Sequence, residues 1–182
     1  MRDHSYKIAI VGTSGSGKST LAREISEILE CDHIELDGYA WEPNWTKKED
    51  EVIVEDVSAA CSRCQWVCCG NYSLTRDVVW GHATHLLWLR LPFPVVFWRL
   101  FKRTMRRIFT KEPIAGGNIE TFKHQFFSKD SIFLWVLKTH WSRVRIYSKI
   151  LSEGVYPSLK VVELRSQKQI DQFIEQLRKG DV

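Results

Sequence analysis

The segment GTSGSGKST, residues 12–20, decides the fold of this 182-residue chain. It matches the P-loop spacing, in which Gly-x-x-x-x-Gly-Lys-Ser follows a strand and opens a helix. The short apolar run at residues 6–11 stands directly before it. After it, Leu21, Ile25 and Leu29 recur at helical spacing and predict the helix. The pattern and its setting together predict a phosphate-binding loop.

Each residue type in this loop has a physical role in binding phosphate. Glycines let the backbone bend so that several N–H groups face one anion, and the positive end of the helix dipole strengthens that field. We expect Lys18 to reach the β- and γ-phosphates of ATP, and Ser19 to place its hydroxyl on Mg²⁺. The predicted ATP-binding residues are Gly12, Gly15, Ser16, Gly17, Lys18, Ser19 and Thr20.

Strand-like and helical segments alternate through the rest of the chain. Apolar runs at 33–36, 65–69, 85–91 and 159–164 are separated by amphipathic segments. This alternation predicts an α/β fold, a five-stranded parallel sheet with helices on both faces, in one domain over residues 1–182. The segments near 38–62 and 99–128 resemble insertions that could close over ligands.

Local signals set some expected boundaries. Thr46 and Glu49 have the spacing of a capping box, which predicts a helix from there to about residue 62. Proline, asparagine and glycine predict loops at 39–45 and 113–118. A long helix is expected over about 129–152.

Composition narrows the class of protein. Hydrophobic residues make up 44% and aromatic residues 12%, which excludes general disorder. No apolar run reaches the ~18 residues of a membrane span, and no signal-peptide pattern opens the chain, so we expect a cytoplasmic protein without a membrane partner. The odd count of five cysteines favours free thiols over a zinc site, because Cys68 and Cys69 are adjacent in a strand-like run.

Charge is unevenly distributed, and arginines dominate one helix. Residues 1–91 carry nine basic and fourteen acidic side chains, whereas residues 92–182 carry seventeen and eight. In the helix expected at about 94–109, the arginines are predicted to share one face, opposite an apolar face of Phe97, Phe101, Met105 and Ile108. The arginines on that face are Arg99, Arg103, Arg106 and Arg107, and weaker candidates elsewhere are Arg76, Arg143 and Arg145.

Three interpretations fit this basic face. Arginines stabilise the negative charge of a phosphoryl group in transfer, and a mobile arginine-bearing lid excludes water. We therefore predict that Arg99, Arg103 and Arg107 act in catalysis from a lid at 99–128. The alternative is a solvated basic face, and the same charges would serve nucleic-acid binding.

Asp37 is the predicted acidic partner of the loop. P-loop phosphotransferases place an acidic side chain near Mg²⁺ at the end of a neighbouring strand, and ligands bind at that edge of an open α/β sheet. The third strand ends in Cys68-Cys69-Gly70 without a carboxylate, whereas Asp37 follows the second strand. Asp37 is expected either to lie near the metal through water or to accept the proton of the acceptor hydroxyl.

Tryptophans supply a further expectation. Trp41 and Trp45 stand in a polar segment after Asp37, where they either stack on a ligand or anchor the segment to the core. The tryptophans expected in the core are Trp66, Trp88, Trp98 and Trp135.

Several blocks of the chain match a known family. They are residues 12–20, Asp37-x-x-x-Trp41-x-Pro43-x-Trp45, Gly70-Asn71-Tyr72-Ser73 and the arginine helix. The chain resembles the small adenylate-kinase-like P-loop proteins termed DNA topology modulation proteins, over about residues 6–165. The resemblance implies a nucleoside-kinase-like fold with a lid, and ATP–Mg²⁺ binding. The family commonly has Asp where this chain has Cys69, which puts the support of Mg²⁺ in question.

These observations predict an ATP-dependent phosphotransferase. It would move the γ-phosphoryl to a small-molecule or nucleotide acceptor held between the 38–62 segment and the lid. Lys18, Asp37 and the lid arginines would carry catalysis, and Ser19 and Asp37 would serve the metal. The alternative is a nucleotide-binding regulator with little transfer activity. Direct DNA binding is a third hypothesis, disfavoured because the net charge is only +4 and no DNA-binding motif is present.

Overall fold

The computed structural model describes residues 5–43, 46–114, 117–127 and 131–180. In these residues the strands are β1 (Lys7–Gly12), β2 (Asp32–Glu35), β3 (Trp41–Glu42), β4 (Thr46–Lys47), β5 (Trp66–Cys69), β6 (His85–Leu89), β7 (Pro113–Ile114), β8 (Asn118–Ile119) and β9 (Lys160–Leu164). The helices are α1 (Lys18–Leu29), α2 (Leu36–Ala40), α3 (Asp50–Cys61), α4 (Arg76–His82), α5 (Phe93–Thr110), α6 (Phe122–Phe127), α7 (Ile132–Ser152) and α8 (Gln167–Lys179).

The sheet has five parallel strands in the order β2-β5-β1-β6-β9, so β1 is central. The central strands read as apolar runs because both of their faces are covered. All residues of β5 and β6 are buried. This confirms the predicted α/β fold with a five-stranded parallel sheet. Because the strands are parallel, the residues that follow β1, β2 and β5 meet at one edge.

Two apolar cores sandwich the sheet. Ile8 and Ile10 of β1 face a core that contains Leu21 and Ile25 of α1 and side chains of α5 and α8. The alternate residues of β1 face a second core formed with α3 and α4, which includes Trp66. The period-two alternation of β1 thus divides its side chains between the two layers.

Several expected boundaries are wrong. Residues 36–40 form α2 and not the end of a strand and a loop, so β2 ends at Glu35. Thr46 lies in β4, paired with β3, and α3 begins at Asp50 after Glu49 without a side-chain cap, so there is no capping box. The expected loop at 113–118 contains the antiparallel pair β7 and β8, and residues 115–116 lie outside the described part. The long helix begins at Ile132, where the Ser131 side chain caps it by accepting from the Leu134 nitrogen, and residues 128–130 lie outside the described part.

The arginine-rich helix buries a different stripe from the expected one. Its buried residues are Val96, Leu100 and Thr104, whereas Phe97 and Phe101 pack at the side of the core. Phe97 and Phe101 instead lie close to Phe133 of α7, with ring centroids 5.7 and 6.2 Å apart. Two further expectations are wrong, because Trp98 and Trp135 are 57% and 53% exposed.

Candidate functional site

The loop after β1 has the geometry of a phosphate cradle. Gly15 and Gly17 have φ angles of 88° and 99°, a conformation that residues with a side chain rarely adopt. A Cβ on Gly15 would also lie 2.7 Å from the carbonyl oxygen of Val96. Gly17 is the N-cap of α1 and supplies no side-chain cap. The first N–H groups of α1 are therefore available to an anion, as in other helix N-termini that bind phosphate.

Side chains from two elements hold this loop in place. Asn71, just after β5, donates from Nδ2 to the Gly12 oxygen at 2.6 Å and accepts from the Gly12 nitrogen at 3.1 Å. The Tyr147 hydroxyl of α7 donates to Oδ1 of the Asn71 side chain at 3.3 Å. His140, two turns earlier on α7, lies 3.0 Å from the Thr13 hydroxyl through Nδ1. Asn71 of the Gly70-Asn71-Tyr72-Ser73 block thus holds the start of the P-loop in place.

An acidic residue that the sequence analysis did not select lies beside Ser19. The Ser19 hydroxyl donates to Glu35 Oε1 at 2.7 Å. The Cys69 thiol donates to the same hydroxyl oxygen at 3.8 Å, and burial raises its pKa to about 12, so it remains neutral. A hydroxyl and a carboxylate are hard oxygen ligands of the type that Mg²⁺ prefers, whereas a neutral thiol is not one. Ser19 and Glu35 therefore fit a magnesium ion.

Asp37 lies in the first turn of α2, one residue beyond the expected strand end. It is exposed, and its Oδ1 accepts a hydrogen bond from the Tyr72 hydroxyl at 2.9 Å. The Tyr72 oxygen in turn accepts from Trp41 Nε1 at 2.8 Å. Burial, followed by the charge of Asp37, raises the pKa of Tyr72, so it stays a donor. Trp41 is half-buried and packs against the second core, which favours the anchoring interpretation; Trp45 lies outside the described residues.

Lys18 has the most strongly altered environment in the loop. Its Nζ donates to the Thr13 oxygen at 3.4 Å. Burial lowers the pKa of Lys18 from 10.5 to about 8; the charge of Asp37 opposes the shift, and those of Arg143 and Arg103 add to it. A cation in this position is stabilised by a bound anion. The charges of Asp37, Arg143 and Arg103 therefore all act on the Lys18 ammonium group.

The three selected arginines of α5 lie at different points of the site. Arg99 donates to the Ser16 oxygen at 3.4 Å and to Gln167 Oε1 at 2.8 Å. Arg103 has a buried Nε without a partner, and burial, then the charge of Arg107, lowers its pKa. Arg107 Nη1 lies 3.7 Å from Glu120, a buried carboxylate beyond β8.

Three of the four remaining arginine candidates lie away from the P-loop residues described above. Arg106 is exposed and pairs with Glu112 at 3.0 Å, so it does not share the face of Arg103 and Arg107. Arg76 lies 3.5 Å from Asp77 on α4, and Arg145 is exposed on α7. Arg143, one of the weaker candidates, is the one that belongs to the site.

The two segments expected to close over ligands meet in the structure. Asn118 Nδ2 of β8 donates to the Glu42 oxygen of β3 at 3.0 Å. This joins the region of the arginine helix to the segment that follows Asp37. Within the described residues, no helix is long and apolar enough to cross a membrane.

The fold and the loop define a P-loop protein with a kinase-like architecture. The chain belongs to the AAA domain family, whose model matches residues 8–114. It is similar to the uncharacterized protein YqaC of Bacillus subtilis (strain 168), with 28% identity over 116 residues. That match spans 61% of this chain and 63% of the relative.

Solved structures of kinases share the fold. A shikimate kinase from Bacteroides thetaiotaomicron has a TM-score of 0.58 and 16% identity over 96% of this chain and 97% of that chain. A shikimate kinase from Acinetobacter baumannii in complex with shikimate has 0.54 and 17%, over 96% and 93%. A gluconokinase from Sinorhizobium meliloti 1021 has 0.52 and 15%, over 97% and 95%. These likenesses confirm the predicted fold class.

Proposed function

We propose that this protein is an ATP-dependent phosphotransferase that moves the γ-phosphoryl of ATP to a small hydroxylated acceptor. The observation that carries the proposal is the position of the two carboxylates. Glu35 accepts from Ser19 of the P-loop, and Asp37, two residues further on after the same strand, acts on Lys18 through its charge. One acid beside the metal-binding hydroxyl and one beside the reacting phosphate are what phosphoryl transfer to a hydroxyl needs.

The P-loop residues 12–20 would hold the nucleotide. The N–H groups of the loop and of the first turn of α1 would bind the phosphates, with Lys18 as the point charge. Ser19 and Glu35 would hold Mg²⁺, which supplies charge neutralisation to the β- and γ-phosphates when bound. Asp37, for which the metal was the other predicted role, is 2.9 Å from Tyr72 and not bonded to Ser19.

Asp37 would act as the base. Its carboxylate would accept the proton of the acceptor hydroxyl while Tyr72 fixes its orientation. Arg103 and Arg107 would approach the moving phosphoryl from α5, and Arg99 would approach the nucleotide beside Ser16 and Gly17. The contact between Asn118 and Glu42 would couple closure of the 99–128 lid to the acceptor-side segment 38–62.

Related structures support this class of reaction. Proteins of the same fold are described as shikimate kinase, gluconokinase and sugar kinase, so the architecture serves small hydroxylated acceptors. The proposal includes a single domain over residues 1–182 in the cytoplasm. It also places the chain near the DNA topology modulation proteins, without direct binding to nucleic acid.

The test is ATP consumption with Mg²⁺ against a panel of nucleosides, nucleoside monophosphates, sugars and hydroxy acids. We expect acceptor-dependent ADP release that Lys18→Ala abolishes. Lys168→Ala, at an exposed position of α8, is the matched control and should retain activity. Full activity in Lys18→Ala would refute the proposal.

The neutral Cys69 thiol beside Ser19 favours a second candidate, a nucleotide-binding regulator. An acid at this position would support Mg²⁺, and its replacement by a thiol weakens the case for fast turnover. Tight binding of MgATP without acceptor-stimulated ADP release would support this candidate. Fast turnover with any acceptor would exclude it.

A further inference from the structure

Helix α7 contacts the P-loop directly through one side chain and contacts Asn71, which holds that loop, through another. His140 contacts Thr13 at 3.0 Å, and Tyr147 contacts Asn71 at 3.3 Å. Arg143 lies between them, three residues after His140 and four before Tyr147. Because residues at these spacings share one helix face, Arg143 is held over the same edge of the sheet.

Arg143 has no counter-charge in the described part of the protein. No carboxylate there lies within 4.0 Å of it, and its buried Nη1 makes no hydrogen bond. Burial lowers the pKa of this guanidinium, which Tyr147 opposes. An unpaired, partly buried charge is costly to the fold. An anionic group of a bound ligand would supply the missing counter-charge for Arg143 and remove this cost.

The position of Arg143 indicates which ligand supplies the anion. Asp37 follows β2 and Asn71 follows β5, on one side of the central β1. Arg99 bonds to Gln167, which follows β9 on the opposite side. In-line transfer puts the acceptor and the nucleoside on opposite sides of the moving phosphoryl. With Asp37 as the base, the acceptor lies on the β2–β5 side, where Tyr147 and Asn71 hold α7.

We infer that the acceptor is an anionic hydroxyl compound, and that Arg143 binds its carboxylate or phosphate group while Asp37 faces its hydroxyl. This inference rests on the proposed function and names the substrate class of the same site. A planar guanidinium pairs with either group through two parallel hydrogen bonds. The P-loop, Lys18 and the metal already serve the phosphates of ATP, so Arg143 is left for the second substrate.

The first test compares charged and uncharged acceptors. Glycerate is paired with glycerol, and glucose 6-phosphate with glucose, in an assay of MgATP-dependent ADP release. We expect turnover with a charged member and not with its neutral counterpart. Turnover with glycerate would identify the anionic group of the acceptor as a carboxylate. Turnover with glucose 6-phosphate would identify it as a phosphate. Equal turnover with the neutral compounds would overturn the inference while leaving a kinase.

The second test measures binding and does not depend on turnover. Malonate and inorganic phosphate are titrated by calorimetry into protein saturated with Mg²⁺ and a non-hydrolysable ATP analogue, so that the P-loop is filled. We expect one of the two anions to bind the wild-type chain, and Arg143→Gln to weaken it at least about tenfold. Arg143→Lys should restore part of the affinity, because it keeps the charge and loses the bidentate geometry.

Two controls separate the possible causes. Arg145→Gln, at an exposed position on the same helix, should bind as the wild type does. Affinity for MgATP should stay within about twofold in Arg143→Gln, since the P-loop contacts are intact. Loss of MgATP affinity with unchanged anion binding would overturn the inference and assign Arg143 to the nucleotide. No anion binding to the wild type would overturn it as well, whereas failure of the proposed function would show as absent turnover with anion binding preserved.

Discussion

The Ser19 hydroxyl donates a 2.7 Å hydrogen bond to the Glu35 carboxylate, which joins the first turn of α1 to the end of β2. Glu35 is exposed, so its carboxylate is open to a metal ion from solvent. The pair supplies two oxygen ligands beside the phosphate cradle. Glu35 is therefore the acid to which the P-loop serine donates directly, whereas Asp37 accepts from Tyr72 and is the base in the proposed reaction.

Replacing Glu35 by Gln should weaken magnesium support without loss of the fold. The amide oxygen still accepts from Ser19, but the negative charge that attracts Mg²⁺ is gone. We expect the Mg²⁺ concentration for half-maximal ATP turnover to rise about tenfold, with an unchanged melting temperature. The measurement is a Mg²⁺ titration at fixed ATP, and Glu27→Gln on α1 is a control of the same chemistry. An unchanged Mg²⁺ requirement would remove Glu35 from the metal site.

Replacing Asp37 by Asn should lower kcat and spare nucleotide binding. The amide cannot accept the proton of the acceptor hydroxyl, and loss of a general base typically costs about 10²–10⁴-fold in rate. Tyr72→Phe removes the 2.9 Å hydrogen bond that orients the carboxylate and should give a smaller decrease of about tenfold. Steady-state kinetics and calorimetric binding of MgATP separate the two effects. A loss confined to Mg²⁺ affinity would instead favour the metal role of Asp37.

The backbone conformation of the P-loop could be predicted from the sequence, because it depends on local geometry. Glycines at two left-handed positions and a helix start are encoded within nine residues. The alternation of apolar and amphipathic segments is also local, so the parallel sheet was predictable. Asp37 was selected from its place after a strand, and that edge of the sheet is where the structure puts it.

Glu35 was missed because the end of β2 was placed one residue too late. Residues 33–36 alternate as a strand would, and Gly38 disfavours a helix. The five-residue α2 is instead stabilised by burial of Leu36 and Ala40 in the second core, a tertiary effect. A strand that ends at Glu35 places this residue at the edge of the sheet where ligands bind. Boundary errors of one residue thus decide which acid is selected.

The errors on α5 and α7 have a different cause. The first part of α5, residues 93–98, and much of α7 carry apolar side chains on several sides, so helical periodicity does not single out the face that meets the core. On α5 the innermost stripe is Val96 and Leu100, while Trp98 is left on the surface. The sequence offers Arg143 only as a weaker candidate, since its position depends on the contacts of His140 and Tyr147 with residues more than seventy positions away.

Replacing Lys18 by Met should stabilise the nucleotide-free protein at pH 7. The pKa of Lys18 is lowered from 10.5 to about 8, so between these values the unfolded chain binds more protons than the folded one. The stability of the wild type therefore rises with pH across that window. We expect Lys18→Met to gain about 1–2 kcal/mol at pH 7, a few degrees in melting temperature, and to lose that advantage towards pH 10.5.

Thermal unfolding from pH 7 to 10.5 without nucleotide provides the measurement. Lys168→Met, at an exposed position, is the matched control and should show no pH-dependent advantage. A wild-type stability that falls steadily between pH 8 and 10, in parallel with Lys18→Met, would contradict the lowered pKa. The same shift predicts that affinity for MgATP decreases above about pH 8, as Lys18 loses its charge in the free protein.

Replacing Cys69 by Asp should distinguish a kinase limited by its metal site from a protein that uses the nucleotide as a signal. The thiol lies 3.8 Å from the Ser19 hydroxyl, so a carboxylate built there would stand beside both Ser19 and Glu35. Two close carboxylates repel each other, and burial adds to the cost, so the metal-free variant should be less stable by about 1–3 kcal/mol. Mg²⁺ with an ATP analogue should recover most of that loss, because the cation neutralises both charges.

Cys69→Ser, which is similar in size and uncharged, is the control and should show no such Mg²⁺ dependence. If Cys69→Asp also turns over ATP faster than the wild type with the same acceptor, the thiol limits catalysis in a kinase. Identical Mg²⁺ responses of the Asp and Ser variants would mean that position 69 does not face the metal.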